Sequence, residues 1–418
     1  MRLCVFAAKK NILKILLTHP GTQHSFQLAR QLYKRGLLYE FHTGVAFGKD
    51  SLYYRFFSMM PGFIFHKLSN RFIDEVPDRF IKRNPIIELK ALIRLKLGQD
   101  EEVVLYNRNK RFQKGISDDA IRKADAIIGF DTSSWILAKR CRELGRKFFL
   151  DVSIAHPVAK DLVYRRIIKL YPDWRFSVKS KDYNHIAIEE TEMEMAGHIV
   201  VASSFTLKTY AEHEVPVEKI SINPYGVDTE GFSPTRKALN GNGQVHFVFV
   251  GSVDARKGIP FLLETWGKMD TGSARLTLVG PVSEFTRTYI QKHYPGVTVM
   301  GKLPFSELKK TLPGFDVMIF PSFFEGYGLV VPEAMACGLP VITTNATCGP
   351  DIIEHGREGF IIEPAGEEHL KEAIDYFIKS PQQVASMGNK ARAKAETLSW
   401  DAYGERWNQI LQRELHDN

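Results

Sequence analysis

Cysteine is scarce in this chain. Its 418 residues include four cysteines, and no two of them form a Cys-x-x-Cys pair; they are Cys4, Cys141, Cys337 and Cys348. A disulfide framework and a structural zinc site both depend on closely spaced cysteines, so this spacing argues against each of them. Isolated thiols are typical of a reducing compartment, and the sequence therefore predicts a cytosolic protein.

Long hydrophobic runs are also missing. No apolar stretch reaches the roughly 20 residues that a transmembrane helix needs. Lys9, Lys10 and Lys14 interrupt the N-terminal apolar stretch, and no clear small-residue cleavage site follows it. We therefore predict neither a membrane-spanning helix nor a signal peptide.

Positive charge, in contrast, is in excess. The chain is 44% hydrophobic and 25% charged, as in ordinary globular proteins, and its formal net charge is +8. Such a surface favours an anionic partner, which could be a phosphorylated substrate, an acidic membrane or nucleic acid. Because no nucleic-acid-binding motif accompanies the charge, we expect no nucleic acid partner.

The most informative stretch covers residues 320–341 (FPSFFEGYGLVVPEAMACGLPV). It follows the apolar run 316–320, which predicts a buried strand. A loop with Gly326 and Gly328 comes next, and a helical pattern then stops at Gly338, where a glycine easily takes the left-handed cap conformation. A second apolar run follows. The predicted unit is a strand, a glycine loop, a helix and another strand.

That geometry suits a phosphate group. Gly326 and Gly328 allow the backbone to come close to a ligand. The first helical turn leaves the N–H groups of Gly328, Leu329 and Val330 without partners, and these donors and the helix dipole favour an anion. With Tyr327 between the glycines, these residues are candidates for ligand binding. A plain buried strand–turn–helix unit is the alternative.

Two carboxylates bracket the loop. Glu325 lies just before the helix, and Glu333 lies about a turn into it with its side chain leaning toward the helix N-terminus. Carboxylates beside a phosphate site suit the hydroxyl groups of a sugar or a ribose. The eight-residue spacing, with the glycines around it, resembles the signature of the family 4 (group 1) retaining glycosyltransferases.

This resemblance implies a fold. The family has the GT-B fold, in which two Rossmann-like α/β domains with parallel sheets face each other across a cleft. The alternation of strands and helices in both halves of the chain favours the same fold class. We expect an acceptor-side domain at 1–223, a nucleotide-sugar-binding domain at 224–399, and a C-terminal helix at 400–418 that packs back on the first domain.

The resemblance also implies a reaction. A nucleotide diphosphate sugar, with a UDP-sugar favoured, would donate its sugar with retention to a hydroxyl of a glycan or lipid-linked acceptor. Surface polysaccharide or lipopolysaccharide synthesis is the expected setting. Cationic side chains and helix dipoles would replace a metal ion, so no metal or other cofactor is expected. The sequence also lacks the Asp-x-Asp pair that anchors metal in the other glycosyltransferase architecture.

Particular residues receive roles from the resemblance. Glu325 would hold the donor sugar and Glu333 the ribose. Lys257, at a loop–helix junction, would bind the diphosphate and stabilise its charge as it departs. Where many relatives have an Arg, this chain has Ser252, and the nearby Arg256 is the candidate for the second cation.

Looser matches add three positions. Lys302 and Leu303 follow a predicted strand, where the family places the nucleotide base. His156 lies just past a strand's carboxyl end and would help to position the sugar; a structural histidine is the equally weighted alternative. The catalytic candidates are thus His156, Lys257 and Glu325.

The acceptor side is less defined. We predict the first strand at 13–17, with 2–7 as its rival. Gly21 and Thr22 follow it, where the family usually has Gly-Gly in an acceptor-side loop; a plain connection is the alternative. Residues 53–123 are aromatic and basic, which predicts either contact with an anionic membrane and a lipid-linked substrate or helices with apolar faces turned inward. The expected location is the cytoplasm, with peripheral attachment to the inner face of the cytoplasmic membrane as its variant.

Two other functions stay open. One is a nucleotide-sugar epimerase of the same fold, which would need no second substrate. The other is a degenerate glycosyltransferase that binds a nucleotide or serves as a scaffold. Ser252 and Gly21-Thr22 depart from the family pattern and favour the scaffold, whereas Glu325, Glu333 and Lys257 argue against it.

Overall fold

The computed structural model describes residues 13–22, 24–59, 71–178, 183–234 and 244–416. These residues divide into two compact units. The first contains the described residues of Met1–Asp151, Ala187–Ile199 and Gly404–Asn418, and the second those of Val152–Ile186 and Val200–Tyr403. The boundaries predicted from the sequence at 223 and 399 stay predictions.

The strands alternate with helices along the chain. They are β1 (Ile15–His19), β2 (Leu38–Thr43), β3 (Phe47–Gly48), β4 (Phe72–Ile73), β5 (Ile81–Arg83), β6 (Ala126–Phe130), β7 (Lys147–Val152), β8 (His198–Val201), β9 (Ile220–Ile222), β10 (His246–Val250), β11 (Arg275–Val279), β12 (Val297–Gly301), β13 (Val317–Phe320), β14 (Val341–Thr344) and β15 (Gly359–Ile362).

The helices connect these strands. They are α1 (Ser25–Lys34), α2 (Leu52–Ser58), α3 (Pro85–Lys96), α4 (Glu101–Lys114), α5 (Asp118–Lys123), α6 (Trp135–Glu143), α7 (Pro157–Leu170), α8 (Tyr183–Met195), α9 (Ser204–Ala211), α10 (Ile259–Lys268), α11 (Glu284–His293), α12 (Phe305–Thr311), α13 (Val330–Ala336), α14 (Gly349–Ile352), α15 (Glu367–Lys379), α16 (Gln382–Glu396) and α17 (Trp400–His416).

Two parallel sheets form the cores, as predicted. One has the strand order β5-β2-β1-β6-β7-β8-β9, and the other has the order β12-β11-β10-β13-β14-β15. The strands β6, β13 and β14 are buried along their whole length. Helices cover parallel sheets on both faces, which explains why these strands are continuous apolar runs in the sequence.

The first strand lies two residues later than predicted. It runs over Ile15–His19, and its polar last residues Thr18 and His19 pair with His42 and Thr43 of β2. Backbone pairing in a sheet extends into polar residues that hydropathy alone does not assign to a strand. The rival strand at 2–7 lies outside the described residues.

The C-terminal helix α17 contributes to the core of the first unit. Trp407 is fully buried, and its ring lies 6.3 Å from that of Phe149 on β7. Nζ of Lys147 donates a hydrogen bond of 2.6 Å to the carbonyl of Glu414. Among the described helices, none has the length and hydropathy needed to cross a bilayer.

Candidate active site

The glycine loop lies in the second unit, between β13 and α13. Gly328 has a φ of 90°, a conformation that favours glycine, and a side chain there would press on the ring of Phe320. The N–H of Glu325 donates to the carbonyl of Ala346 at 2.8 Å, which ties the loop to the segment after β14. Gly338 ends the helix with a φ of 78°, as its predicted cap role requires.

The start of α13 leaves backbone donors available. The carbonyls of Gly328 and Leu329 accept hydrogen bonds from Val331 and Glu333. Within the described chain, the N–H groups of Gly328, Leu329 and Val330 have no acceptor. The predicted set of unpaired donors is therefore present next to Glu325.

A compact ionic cluster surrounds the Glu325 carboxylate. Its Oε1 accepts hydrogen bonds from Nζ of Lys257 at 2.5 Å, from Nη1 of Arg256 at 2.9 Å and from Oγ of Ser322 at 2.7 Å. Lys257 also lies over the Phe320 ring, 5.0 Å from its centroid. The structure thus brings together three of the residues that the sequence singled out.

Burial and charge oppose each other in this cluster. Burial acts to raise the pKa of Glu325, but the charges of Lys257 and Arg256 outweigh it, and the pKa falls below its ordinary value. Burial lowers the pKa of Lys257 despite the neighbouring Glu325 carboxylate. Burial also raises the pKa of Asp254, whose Oδ1 accepts the Lys257 backbone N–H. Glu325 is therefore a carboxylate at neutral pH.

The cluster still has free bonding capacity. All three recorded bonds to Glu325 end on Oε1, so in the described chain Oε2 accepts none. An ammonium carries three N–H donors and a guanidinium five. Lys257 uses one ammonium donor, and Arg256 uses only Nη1, which also reaches the Phe324 carbonyl at 3.2 Å. The two cations can therefore hold an anion without releasing Glu325.

Sequence reasoning missed the role of Ser322. Its hydroxyl donates to Glu325, while its carbonyl accepts the Thr344 hydroxyl at 2.6 Å. Ser322 therefore fixes one oxygen of Glu325 and connects it to β14. Its place directly after an apolar strand, at the sheet edge where ligands bind in such folds, was the available signal.

Gly326 has a packing reason to be glycine. A Cβ at this position would collide with the carbonyl oxygen of Ser153. Its own carbonyl accepts hydrogen bonds from Ser203 at 2.7 Å and Thr206 at 3.0 Å. The absence of a side chain at Gly326 thus lets the backbone at Ser153 come close.

The Tyr327 side chain points into the protein. It is buried, its ring lies 5.1 Å from that of Tyr225, and its hydroxyl donates to the Tyr225 carbonyl at 3.3 Å. Only its backbone could contact a ligand in this conformation. The predicted donor contact of Tyr327 therefore has no support from its side chain.

Glu333 lies on α13, half-buried. Burial raises the pKa of its carboxyl to about 8; the Asp228 charge adds to the rise and the Lys309 charge opposes it. Asp228 and Lys309 pair with each other at 2.6 Å. The Glu333 carboxyl has no hydrogen-bond partner among the described residues. It is therefore mostly protonated at neutral pH, when it can both donate and accept.

This raised pKa predicts a pH-dependent stability. The folded state binds a proton at Glu333 that the unfolded state releases near its ordinary pKa of 4.5, so this contribution to stability is lost as the pH rises from 4.5 to about 8. We expect Glu333→Gln to match the wild type at about pH 4 and to exceed it by about 2 kcal/mol at about pH 9. Thermal unfolding across this pH range measures the difference in stability between Glu333→Gln and the wild type, with Glu372→Gln as an exposed control. Parallel curves for all three proteins would contradict the assignment.

The other predicted donor residues lie at the same edge of the second sheet. Ser252 follows β10 and is half-buried, and its carbonyl accepts the Asp254 N–H at 3.0 Å. Lys302 is exposed and Leu303 is half-buried directly after β12. The structure places them after the strands as expected, and their roles in base or phosphate binding stay predictions.

His156 has the contacts of a structural histidine. It is the N-cap of α7, where its Nδ1 accepts the Val158 N–H at 3.3 Å. Its ring is buried and stacks on that of His213, with centroids 4.4 Å apart. Because Nδ1 accepts, the neutral ring carries its proton on Nε2. A catalytic role stays a prediction.

The Gly21-Thr22 loop lies in the first unit. The Gly21 N–H donates to Nδ1 of His19 at 3.0 Å, and the Thr22 carbonyl accepts the Ser25 hydroxyl at 2.8 Å. The loop therefore closes on its own neighbours, as a plain connection would. Its contact with an acceptor stays a prediction.

Two histidines of the first unit received no role from the sequence. Burial lowers the pKa of His19 to about 3, so this residue is neutral. Nε2 of the buried His24 lies 3.1 Å from Oδ2 of Asp151. Both rings pack against Phe130 at the end of β6. Polar residues at or near the carboxyl ends of β1 and β7 were the signal for this cluster.

Metal binding finds no support in side-chain clusters of the described part. No group of three or more His, Cys, Asp or Glu side chains there could hold an ion. The three described cysteines, Cys141, Cys337 and Cys348, are buried and free. Metal independence of the reaction stays a prediction.

Comparison with known families decides the resemblance. The profile described as glycosyl transferases group 1 matches residues 244–380, which include β10 to β15 and the complete cluster around Glu325. This segment has the sequence pattern of the group 1 glycosyltransferases. The resemblance inferred from Glu325 and Glu333 is thereby confirmed.

Curated group 1 relatives match parts of the chain. The D-inositol 3-phosphate glycosyltransferase of Pseudarthrobacter chlorophenolicus is 28% identical over 218 residues, which are 48% of this chain and 52% of that protein. The putative colanic acid biosynthesis glycosyltransferase WcaL of Escherichia coli is 25% identical over 293 residues, 64% of this chain and 71% of that protein. The first of these matches thus spans about half of the relative's length.

Solved structures extend the likeness over most of the chain. HepE of Anabaena, crystallised in complex with UDP-glucose, superposes with a TM-score of 0.63 at 14% identity and covers 96% of this chain and 99% of its own. At this identity the likeness shows the fold alone. With the two parallel-sheet units, it establishes the GT-B class that the sequence predicted.

Proposed function

We propose that this protein is a retaining glycosyltransferase that moves a sugar from a nucleotide diphosphate sugar to an acceptor hydroxyl. The observation that carries the proposal is the cluster of Lys257, Arg256 and Glu325 beside three unpaired backbone N–H groups. Cations and backbone donors suit a diphosphate, and the free Oε2 of a carboxylate suits a sugar hydroxyl.

Each group has a part in the proposed reaction. Lys257 and the N–H groups at Gly328 stabilise the negative charge that grows on the departing diphosphate. Arg256 supplies the second cation in place of Ser252. Glu325 holds the donor sugar through Oε2, Glu333 holds the ribose, and His156 helps to position the sugar.

Several finer features belong to the same proposal. Lys257 and Arg256 provide the two positive charges that a divalent ion would supply elsewhere, so we propose a metal-independent reaction. The group 1 signature supports retention. A UDP-sugar is the favoured donor, because HepE, which has the same fold, was crystallised with UDP-glucose.

We propose a glycan or a lipid-linked molecule as the acceptor, in surface polysaccharide or lipopolysaccharide synthesis. The likeness to WcaL, a putative colanic acid biosynthesis enzyme, supports this choice. The protein would work in the cytoplasm or attached peripherally to the inner face of the cytoplasmic membrane. Nucleic acid is not among the proposed partners.

A donor screen tests the proposal. We expect one of the UDP-, GDP-, ADP- or CMP-sugars to bind saturably and to be hydrolysed slowly. The variant Glu333→Ala should weaken that binding about tenfold or more, because a lost hydrogen bond to a ribose hydroxyl costs about 1.5 kcal/mol. Glu372→Ala, on the exposed face of α15, is the matched control. A folded protein that binds none of the four would contradict the proposal and favour a scaffold.

A further inference from the structure

The helix α3 of the first unit buries a glutamate and exposes large apolar residues. Its buried residues are Glu88 and Ala91. Ile87 and Leu95 are half-buried, but other large apolar residues form an exposed stripe with helical spacing: Ile86 is 64% exposed, Leu89 58%, Ile93 48% and Leu97, directly after the helix, 73%. A helix of a globular protein ordinarily turns such a stripe to the core, so this orientation needs a reason.

A buried ion pair fixes the orientation. Oε2 of Glu88 lies 3.5 Å from Nη1 of Arg108 on α4, and both side chains are largely buried. Burying an ionised carboxylate without its partner is costly, so the pair holds this face of α3 against α4. The outward orientation of the apolar stripe therefore follows from this ion pair and not from loose packing of the helix.

The charges beside the stripe all have one sign. Lys90, Arg94 and Lys96 are the other ionisable residues of α3, and none has an ion-pair partner among the described residues. The single acid of the helix, Glu88, faces inward. The outward face thus combines large apolar side chains with positive charge only.

A second helix extends this surface. On α2 and directly after it, Leu52, Phe56 and Met59 follow the same helical spacing and are 78%, 58% and 79% exposed. Tyr53 of this helix lies under the guanidinium of Arg83, which is 5.2 Å from the ring centroid. Arg83 ends β5 two residues before α3 begins. The start of α2 therefore lies close to the segment that leads into α3.

We propose that the outward face of α3, together with α2, docks on an anionic lipid bilayer. The stripe from Ile86 to Leu97 enters the boundary between headgroups and acyl chains, and the long cationic side chains reach the lipid phosphates. Within α2 and α3 no acid faces outward, which matches a surface whose charge is uniformly negative, and the exposed acids Asp100 and Glu101 lie beyond the end of the stripe. This inference names the partner of the acceptor-side unit, and it rests on the proposed function only for the meaning of that attachment.

Sedimentation with vesicles tests the inference. The full-length protein should bind vesicles of phosphatidylcholine mixed with phosphatidylglycerol and should bind phosphatidylcholine vesicles weakly. The double variant Leu89→Asn/Ile93→Asn should bind about tenfold more weakly or worse, since both side chains enter the bilayer. Its matched control is Val217→Asn/Phe285→Asn, which alters exposed apolar residues of the second unit and should bind as the wild type does.

A charge variant separates the two contributions. Lys90→Gln/Arg94→Gln should weaken binding roughly fivefold for each charge removed and flatten its salt dependence. The control Lys292→Gln/Lys371→Gln removes exposed cations of the second unit and should have little effect. All four residues are exposed or half-exposed, so the variants should fold; thermal unfolding checks this.

Three results would overturn the inference. They are equal binding to both kinds of vesicle, unchanged binding by both α3 variants, and a wild-type dimer that becomes monomeric in Leu89→Asn/Ile93→Asn without vesicle binding. The last would make the face a contact between copies of this chain. Hydrolysis of a soluble donor is measured in parallel: its absence with intact vesicle binding would contradict the proposed function and leave this surface standing.

Discussion

Replacing Lys257 with alanine is expected to lower kcat/KM for sugar transfer about a thousandfold, the upper end of the effect of removing one donor that stabilises a developing anion. The ammonium lies 2.5 Å from Glu325 in a largely buried site, where charge acts more strongly than in water. In the proposed reaction it faces the departing diphosphate. We therefore expect the variant to bind the donor more weakly and to catalyse the chemical step more slowly.

The structure indicates that this variant should stay folded. Without Lys257, Oε1 of Glu325 still accepts hydrogen bonds from Arg256 and Ser322, so the carboxylate keeps partners. The matched control is Lys268→Ala, which removes an exposed lysine of α10 that pairs with Glu367 at the surface. Surface ion pairs of this kind contribute little to folding stability, so the control should fold normally. Because Lys268 has no part in the proposed reaction, the kinetics of this control should resemble those of the wild type.

Initial rates with the donor found in the screen give the comparison. A Lys257→Ala protein that retains activity within about tenfold of the wild type would argue against the proposed role, since a departing diphosphate needs that charge. A scaffold would show no sugar transfer in either the wild type or the variant. An epimerase would instead convert the donor without any acceptor, which product analysis detects.

The strand–loop–helix unit could be predicted because its chemistry is local. The apolar run before Phe320 identifies a buried strand, and Gly338 marks the helix end by a conformation that a glycine takes most easily. The unpaired N–H groups at Gly328, Leu329 and Val330 follow from helix geometry alone. Each of these features needs only a few neighbouring residues.

Contacts between distant segments could not be predicted in the same way. The sequence predicts that Gly326 makes room for a ligand. In the structure its missing side chain makes room for the backbone near Ser153. Tyr327 reads as a loop residue, but it is buried against Tyr225, about a hundred residues earlier in the chain. Such pairings depend on the tertiary structure, which a single sequence does not reveal.

The helix α3 shows a second limit. Its apolar residues and basic residues allow either face to be turned inward, and for any one residue an inward apolar face is the more common outcome. A partner outside the helix decides which face is buried: Arg108 on α4 pairs with Glu88 and holds the face that carries this carboxylate inside. The alternative of helices with inward apolar faces is therefore wrong for the exposed stripe of α3.

Replacing Glu325 with glutamine is expected to destabilise the protein by about 3 kcal/mol, because breaking a buried ion pair leaves its partner charges unbalanced. Lys257 and Arg256 both lie within 3 Å of the same oxygen, so the variant leaves two cations side by side. Urea unfolding at neutral pH measures the loss. Glu354→Gln, which removes an exposed carboxylate paired with Arg357, is the control and should change stability little.

Two further measurements separate this explanation from a simple loss of packing. Adding Lys257→Met to Glu325→Gln removes one of the two unbalanced cations, so the double variant should regain part of the lost stability. The pKa of Glu325 is depressed, so its pair stabilises the fold above the ordinary value of 4.5 and ceases to do so as the pH falls through the lower folded value. The difference in the free energy of unfolding between the wild type and Glu325→Gln should therefore become smaller at acid pH. A difference that is unchanged by both treatments would mean that shape, and not charge, determines the stability of this cluster.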